Sequence, residues 1–217
     1  MTKEERLRLD KERVAAMRSF ENETASRILG RGLPFSICGI DEAGRGPLAG
    51  PVAAAAVILP PDRDISFLND SKKLSPKKRD ELFDVICAEA VAYSVTLIDA
   101  QRIDEINILQ ATYEAMRQAV SGLQTRPDVL VNDAVTIPGI DLPQAAVVKG
   151  DAKCISVAAA SILAKVTRDR LMEEYDALYP GYGFAKHKGY GTAAHIEAIR
   201  TLGPCPIHRR SFITHFI

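Results

Sequence analysis

The apolar positions of this chain fall into two periods, and the switches between them mark its elements. Residues 2–29 are charged and free of proline. Leu7, Val14, Met17 and Ile28 give them a thin apolar stripe, which predicts an accessory helix, or a pair of helices, packed on the main body. Gly30-Arg31-Gly32-Leu33-Pro34 ends that segment. Two apolar runs, 36–41 and 52–59, flank a Gly- and Pro-rich turn and predict an antiparallel strand pair. Pro60-Pro61-Asp62 stops the second run. In Ser75-Pro76-Lys77-Lys78 a serine cap precedes a proline at the first helical position, which starts a helix running to about residue 90. The alternating, β-branched stretch 93–98 is a third strand. Ile103, Ile106, Leu109, Tyr113, Met116 and Val120 make 101–123 helical, and 129–132 and 145–149 are short buried strands. A helix over 154–178 begins Ala- and Ile-rich, hence buried, and ends charged. A loop from Pro180 to Gly191 leads into a last helix at 192–202.

Three strands followed by strands alternating with helices predict an α/β fold, a mixed sheet covered by helices. The division expected is an accessory helical segment at 1–32, a main domain at 33–175 and a helical subdomain at 176–217. Composition changes this picture little. Hydrophobic residues are 47% and charged ones 26%, ordinary for a globular protein. No apolar run approaches the roughly 20 residues that span a bilayer, and the charged N-terminal stretch is no secretory signal. Cys38, Cys87, Cys154 and Cys205 lie far apart, as reduced thiols of a cytoplasmic protein would. The formal net charge is zero, which excludes a uniformly basic nucleic-acid binder. Its distribution is uneven. From Lys149 to the C-terminus ten Lys/Arg face six Asp/Glu, a local net of +4, and all four histidines lie there.

The chemistry concentrates at strand ends, where α/β sheets place their sites. The first strand is expected to end on adjacent carboxylates, Asp41 and Glu42, followed at once by Gly44-Arg45-Gly46. Asp133 closes the strand Val129-Leu130-Val131-Asn132, and Asp151 follows the strand at 145–149. Any one of them is commonly a turn former or helix cap; three strand ends together suit hard divalent cations, which take oxygen ligands. Adjacent strand residues point to opposite faces, so Asp41 and Glu42 share a metal pair only if the strand bends or ends there. Lys72, Lys73, Lys165, Lys188 and Arg45 are candidate phosphate contacts. His187 and His208 are expected to be structural.

Asp41-Glu42-Ala43-Gly44-Arg45-Gly46, Asp70-Ser71-Lys72-Lys73-Leu74-Ser75, Lys149-Gly150-Asp151, the run from Ala158 through Lys165 to Arg168-Asp169, His187-Lys188-Gly189-Tyr190-Gly191-Thr192 and His208-Arg209-Arg210-Ser211-Phe212 together resemble the signature blocks of type 2 ribonuclease H (ribonuclease HII) of bacteria, in that family's order. The resemblance covers residue 37 to the C-terminus. It implies a ribonuclease H-like fold: a five-stranded mixed sheet flanked by helices, with a C-terminal helical extension. It implies a monomer that cuts the RNA strand of RNA–DNA hybrids and incises 5′ of single ribonucleotides in duplex DNA, as in ribonucleotide excision repair. By the same resemblance Asp41, Glu42, Asp133 and Asp151 hold two Mg²⁺ or Mn²⁺ ions, and Gly44, Arg45, Gly46 and Tyr190 read the ribose. The pattern departs at Asp133-Ala134, where the family often has Asp-Gly. Two other classes stay open on the residues alone: a DNA-cutting nuclease of the same superfold, and a non-catalytic nucleic-acid binder.

Overall fold

The computed structural model describes residues 2–215 and 217. Its sheet has five strands: β1 (Ile37–Ala43), β2 (Val52–Ile58), β3 (Ala92–Ile98), β4 (Val129–Asp133) and β5 (Gln144–Val147), in the order β3-β2-β1-β4-β5. β1–β2 and β2–β3 are antiparallel, whereas β1–β4 and β4–β5 are parallel, so the sheet is mixed as expected. The helices are α1 (Lys3–Leu29), α2 (Pro76–Glu89), α3 (Ala100–Ser121), α4 (Gly150–Lys153), α5 (Ile155–Leu178), α6 (Phe184–His187), α7 (Ala193–Leu202) and α8 (Arg210–Ile213), with a 3-10 turn at Ser71–Lys73. Among the described residues no helix is long and apolar enough to cross a membrane.

Strand alternation sorts the core into two layers. Cys38 and Ile40 of β1 and Ala54 and Ala56 of β2 face α3. Ala53, Ala55 and Val57 face α5, whose first half, Ile155 to Ala164, is almost wholly buried. Gly39 lies on the α5 side. A Cβ there would sit 2.1 Å from the Ser156 carbonyl carbon and 2.3 Å from the Val157 nitrogen, so the start of α5 rests directly on the strand backbone.

The N-terminal segment is one continuous helix, opened by a capping box between Thr2 and Glu5 and closed by Gly30 in the left-handed conformation. Its buried stripe differs from the expected one. Leu7 and Ile28 are exposed, and the inward positions are Asp10, Val14, Met17, Glu21 and Ala25. Two of these are acidic, which hides the stripe from any hydrophobic count. Asp10 accepts from the Phe67 N–H and from Arg13. Glu21 accepts from the Ser156 N–H at 3.1 Å and from its hydroxyl. Because Cys154 offers α5 no side-chain cap, the Glu21 carboxylate performs that role across the structure, at the positive end of the helix dipole.

Candidate active site

β1 does not stop at Asp41. It pairs onward through Asp41↔Ala55, Glu42↔Ala54 and Ala43↔Ala53, so both carboxylates stand within the strand. Asp41 shares the α5 face with Gly39. Asp133 shares that face with Val131, which packs on Val157. Asp151 lies in α4, a single turn of its own ahead of α5. Three of the expected carboxylates therefore converge on one side of the sheet end. Glu42 alternates to the other side of the strand, which neither bends nor ends at Asp41 as expected, yet its carboxylate stays near enough to feel Asp133 and Lys72. Asp41 turns along the strand to accept the Glu42 N–H at 2.7 Å. Asp133 accepts the Gly150 N–H at 2.7 Å, which ties β4 to α4. Ala134 adopts φ 54°, a left-handed conformation that favours glycine and accounts for the Asp-Gly usual at that place.

The electrostatics bind these groups into one site. Burial, reinforced by Glu42, Asp133 and Asp151, drives the Asp41 carboxyl well above its usual range. Glu42 is raised by burial and by Asp133, with Arg45 opposing at 3.5 Å. Asp151 is raised by burial, Asp70 and Asp133, with Lys72 opposing. Burial works against the Lys72 ammonium, but Asp151, Asp70, Asp41 and Asp133 outweigh it and raise its pKa. Lys72 is thus set among the carboxylates. Asp70 is a fifth carboxylate that the strand-end search missed. It accepts the Lys72 N–H at 2.9 Å and lies against Asp151; its one sequence signal was its place in Asp-Ser-Lys-Lys.

The donor set fits a hard divalent cation, being all carboxylate oxygens held close enough to disfavour one another's charge. Asp41 is 6% exposed and forms no ion pair among the described residues. Among those residues no three His, Cys, Asp or Glu side chains already stand at coordination distance.

Beside the carboxylates, Gly44-Arg45-Gly46 meets the loop carrying Tyr190. The Tyr190 ring passes 3.8 Å from where a Gly46 Cβ would be, and it is 46% exposed. The chain 44–50 is bonded to the C-terminal segment by Leu48 N–H to Gly189 O, Gly50 N–H to Ile207 O and Arg209 N–H to Leu48 O. Lys165 and Lys188 stand apart from the carboxylates. Each is ion-paired at 2.7 Å, with Asp169 and Glu173 respectively, and both line a polar cleft with Arg79 and Arg170.

His187 and His208 are hydrogen-bonded within the fold, as expected of them, and His195 joins them. His195 Nδ1 bonds the Tyr190 carbonyl at 2.9 Å and must donate, so its Nε2 accepts from His208 Nε2 at 3.1 Å. His208 Nδ1 is then the acceptor for the Cys205 N–H at 3.0 Å. His187 bonds the Tyr182 carbonyl through Nε2 and accepts the Gly189 N–H through Nδ1. The donor and acceptor roles give His195 and His208 one tautomer each, and the relay ends on the Tyr190 loop. Burial and the His195 ring push His208 down to about 4.

Comparison with known proteins identifies the family. The family model described as ribonuclease HII matches residues 38–215. A ribonuclease HII from Lachnoclostridium phytofermentans is 63% identical over 177 residues, covering 82% of this chain and 70% of that protein. One from Clostridioides difficile is 54% identical over 211 residues, covering 97% of this chain and 81% of the other. Among solved structures, ribonuclease H2 from Pyrococcus horikoshii superposes with TM-score 0.68 at 30% identity, over 81% of this chain and 93% of that one. The chain belongs to the ribonuclease HII family and is a hydrolytic nuclease.

Proposed function

We propose that this member of the ribonuclease HII family hydrolyses the RNA strand of RNA–DNA hybrids and incises 5′ of single ribonucleotides in duplex DNA, leaving 3′-hydroxyl and 5′-phosphate ends. The observation that carries this reading is the juxtaposition of a buried, mutually repelling carboxylate cluster with a glycine turn and an exposed tyrosine. Asp41, Glu42, Asp133 and Asp151 would hold two divalent ions, Mg²⁺ or Mn²⁺. Such ions, when bound, activate a water and stabilise the departing oxygen. The protein's own part is orientation. The Glu42 N–H aims Asp41, and the Gly150 N–H aims Asp133. Lys72, facing Asp151, places an ammonium where a phosphate oxygen would approach.

Substrate choice would come from the adjoining surface. The 2′-hydroxyl separates RNA from DNA, and reading it needs backbone groups at close range, which glycines allow. Tyr190 offers a ring to stack on the sugar and a hydroxyl to bond it. The 176–217 subdomain, which carries Tyr190, completes the substrate site of the 33–175 domain. Lys165 and Lys188 would exchange their carboxylate partners for phosphates, which position a duplex without specifying it. A monomer acting in the cytoplasm, in removal of misincorporated ribonucleotides, fits this reading.

The test is cleavage of a duplex holding one ribonucleotide, with and without Mg²⁺ or Mn²⁺, with the cut bond mapped. The expected result is a metal-dependent nick on the 5′ side of the ribonucleotide. Cleavage of an all-DNA duplex at a similar rate, or no product with either metal, would overturn it.

A further inference from the structure

Arg168 and Arg209 are among the largest fully buried side chains, 1% and 0% exposed. Among the described residues neither forms an ion pair with a carboxylate. Each instead spends its fork of donors on three main-chain carbonyls. Arg168 bonds Pro51 O through Nε at 2.9 Å, Lys188 O through Nη1 at 3.0 Å and Ala49 O through Nη2 at 3.1 Å. Arg209 bonds Gly50 O through Nε at 3.0 Å, Arg45 O through Nη1 at 2.8 Å and Gly44 O through Nη2 at 2.5 Å. Burial lowers both pKa values, that of Arg209 to about 9. Six carbonyls from two separate loops are thus gathered onto two buried cations.

This arrangement decides where the amides point. In a trans peptide the carbonyl and the following N–H are antiparallel. With Gly44 O and Arg45 O turned inward to Arg209, the N–H groups of Arg45 and Gly46 point the opposite way. Neither N–H has a hydrogen-bond partner among the described residues. The Tyr190 ring packs beside the same turn, 3.8 Å from where a Gly46 Cβ would be. Arg168 crosslinks the same turn to the Tyr190 loop through Lys188 O. Gly44 makes room for it, since a Cβ there would lie 2.0 Å from Arg168 Nε.

We propose that Arg168 and Arg209 are positioning residues, which clamp the Gly44-Arg45-Gly46 turn and the Tyr190 loop into one rigid surface that presents two free amides and a tyrosine to the ribose at the cleavage junction. Neither touches the nucleic acid. The proposal rests on the ribose-reading role given above to that surface. A lysine keeps the charge but lacks the planar fork that joins three carbonyls, so Arg209→Lys is the informative variant.

The experiment pairs kinetics on a one-ribonucleotide duplex with amide hydrogen exchange of the free protein. For Arg209→Lys, kcat should fall at least 10-fold while KM changes less than about 3-fold. The slope of log KM against log salt should stay as in the wild type. Loss of a phosphate-contacting arginine would instead lower that slope by about 1. Exchange at the hydrogen-bonded amides of Leu48, Gly50, Gly189 and Tyr190, which tie the turn to the Tyr190 loop and the C-terminal segment, should accelerate at least 10-fold, with the β4 amides unchanged. The exchange arm needs no activity, so a wild type inactive on this duplex sinks the functional reading and leaves the clamp to be judged by exchange. Unchanged kcat with unchanged exchange would overturn the clamp, and so would a raised KM with a reduced salt slope. Should Arg209→Lys lose cooperative melting, Arg168→Lys carries the same measurements. Loss of melting in both would assign the pair to holding the fold and would also overturn the proposal.

Discussion

Replacing Asp41 with Asn should stabilise the metal-free protein while abolishing hydrolysis. The asparagine Oδ1 can still accept the Glu42 N–H, so the local geometry survives. What disappears is a buried carboxylate repelled by Glu42, Asp133 and Asp151. Relieving a buried, poorly compensated polar group of this kind is worth about 1–3 kcal/mol. For a chain of this size each kcal/mol moves Tm by roughly 2–4 °C, so the expected rise is about 2–12 °C. The pH dependence follows from linkage. The folded pKa lies above the ordinary 3.8, so the folded wild type binds more protons than the unfolded chain between the two values. Wild-type stability therefore falls as pH rises through that window. The gain from the substitution should be absent below about pH 3.8 and should grow as pH rises. Scanning calorimetry with a chelator from pH 4 to 8 measures it. Added Mg²⁺ should then raise the wild type more than the variant, because a ligand stabilises only the state that binds it. A variant less stable at every pH without metal would refute the electrostatic argument. Equal Mg²⁺ shifts in both proteins would refute Asp41 as a ligand.

Gly39→Ala should destabilise by about 1–3 kcal/mol or more, since its Cβ meets the backbone of Ser156 and Val157 rather than a movable side chain; an unchanged urea midpoint would disprove that contact. Glu21→Ala removes the carboxylate that caps α5 and should cost about 1–2 kcal/mol in denaturant unfolding. No change there would mean that α1 merely rests on the domain. Tyr190→Ala should slow incision at a single embedded ribonucleotide, and identical kinetics would rule out its role at the junction. His208 has its folded pKa lowered to about 4 from 6.5, so its contribution to stability is complete above about pH 6.5 and is lost as pH falls toward 4. His208→Gln should flatten the acid limb of the stability profile in that window, and an unaltered limb would exclude it.

The elements were legible because their signals are local. Ser75-Pro76 starts α2, Thr192 caps α7, and the alternation in 93–98 makes β3, each set by contacts within a few residues. That Asp41, Asp133 and Asp151 come near one another was legible because the C-terminal ends of parallel β1 and β4 and the turn after β5 lie side by side. The stripe of α1 was misread because Asp10 and Glu21 face inward, and no hydrophobic count finds a buried acid whose partners, Phe67 and Ser156, lie 57 and 135 residues away. α4 escaped because a single turn leaves no periodicity.

By itself the sequence determined the period of each segment, the order of strands and helices, and the presence of four carboxylates beside a glycine turn. Only the tertiary structure decided which of those groups meet. It set Asp41, Asp133 and Asp151 on one sheet face, added Asp70 and Lys72 to them, and paired Lys165 and Lys188 with acids. It also brought Arg168 and Arg209 beneath the turn. The reason is physical: a strand or helix is chosen by interactions between near neighbours, whereas a buried charge is settled by whatever the folded chain brings within a few ångströms of it.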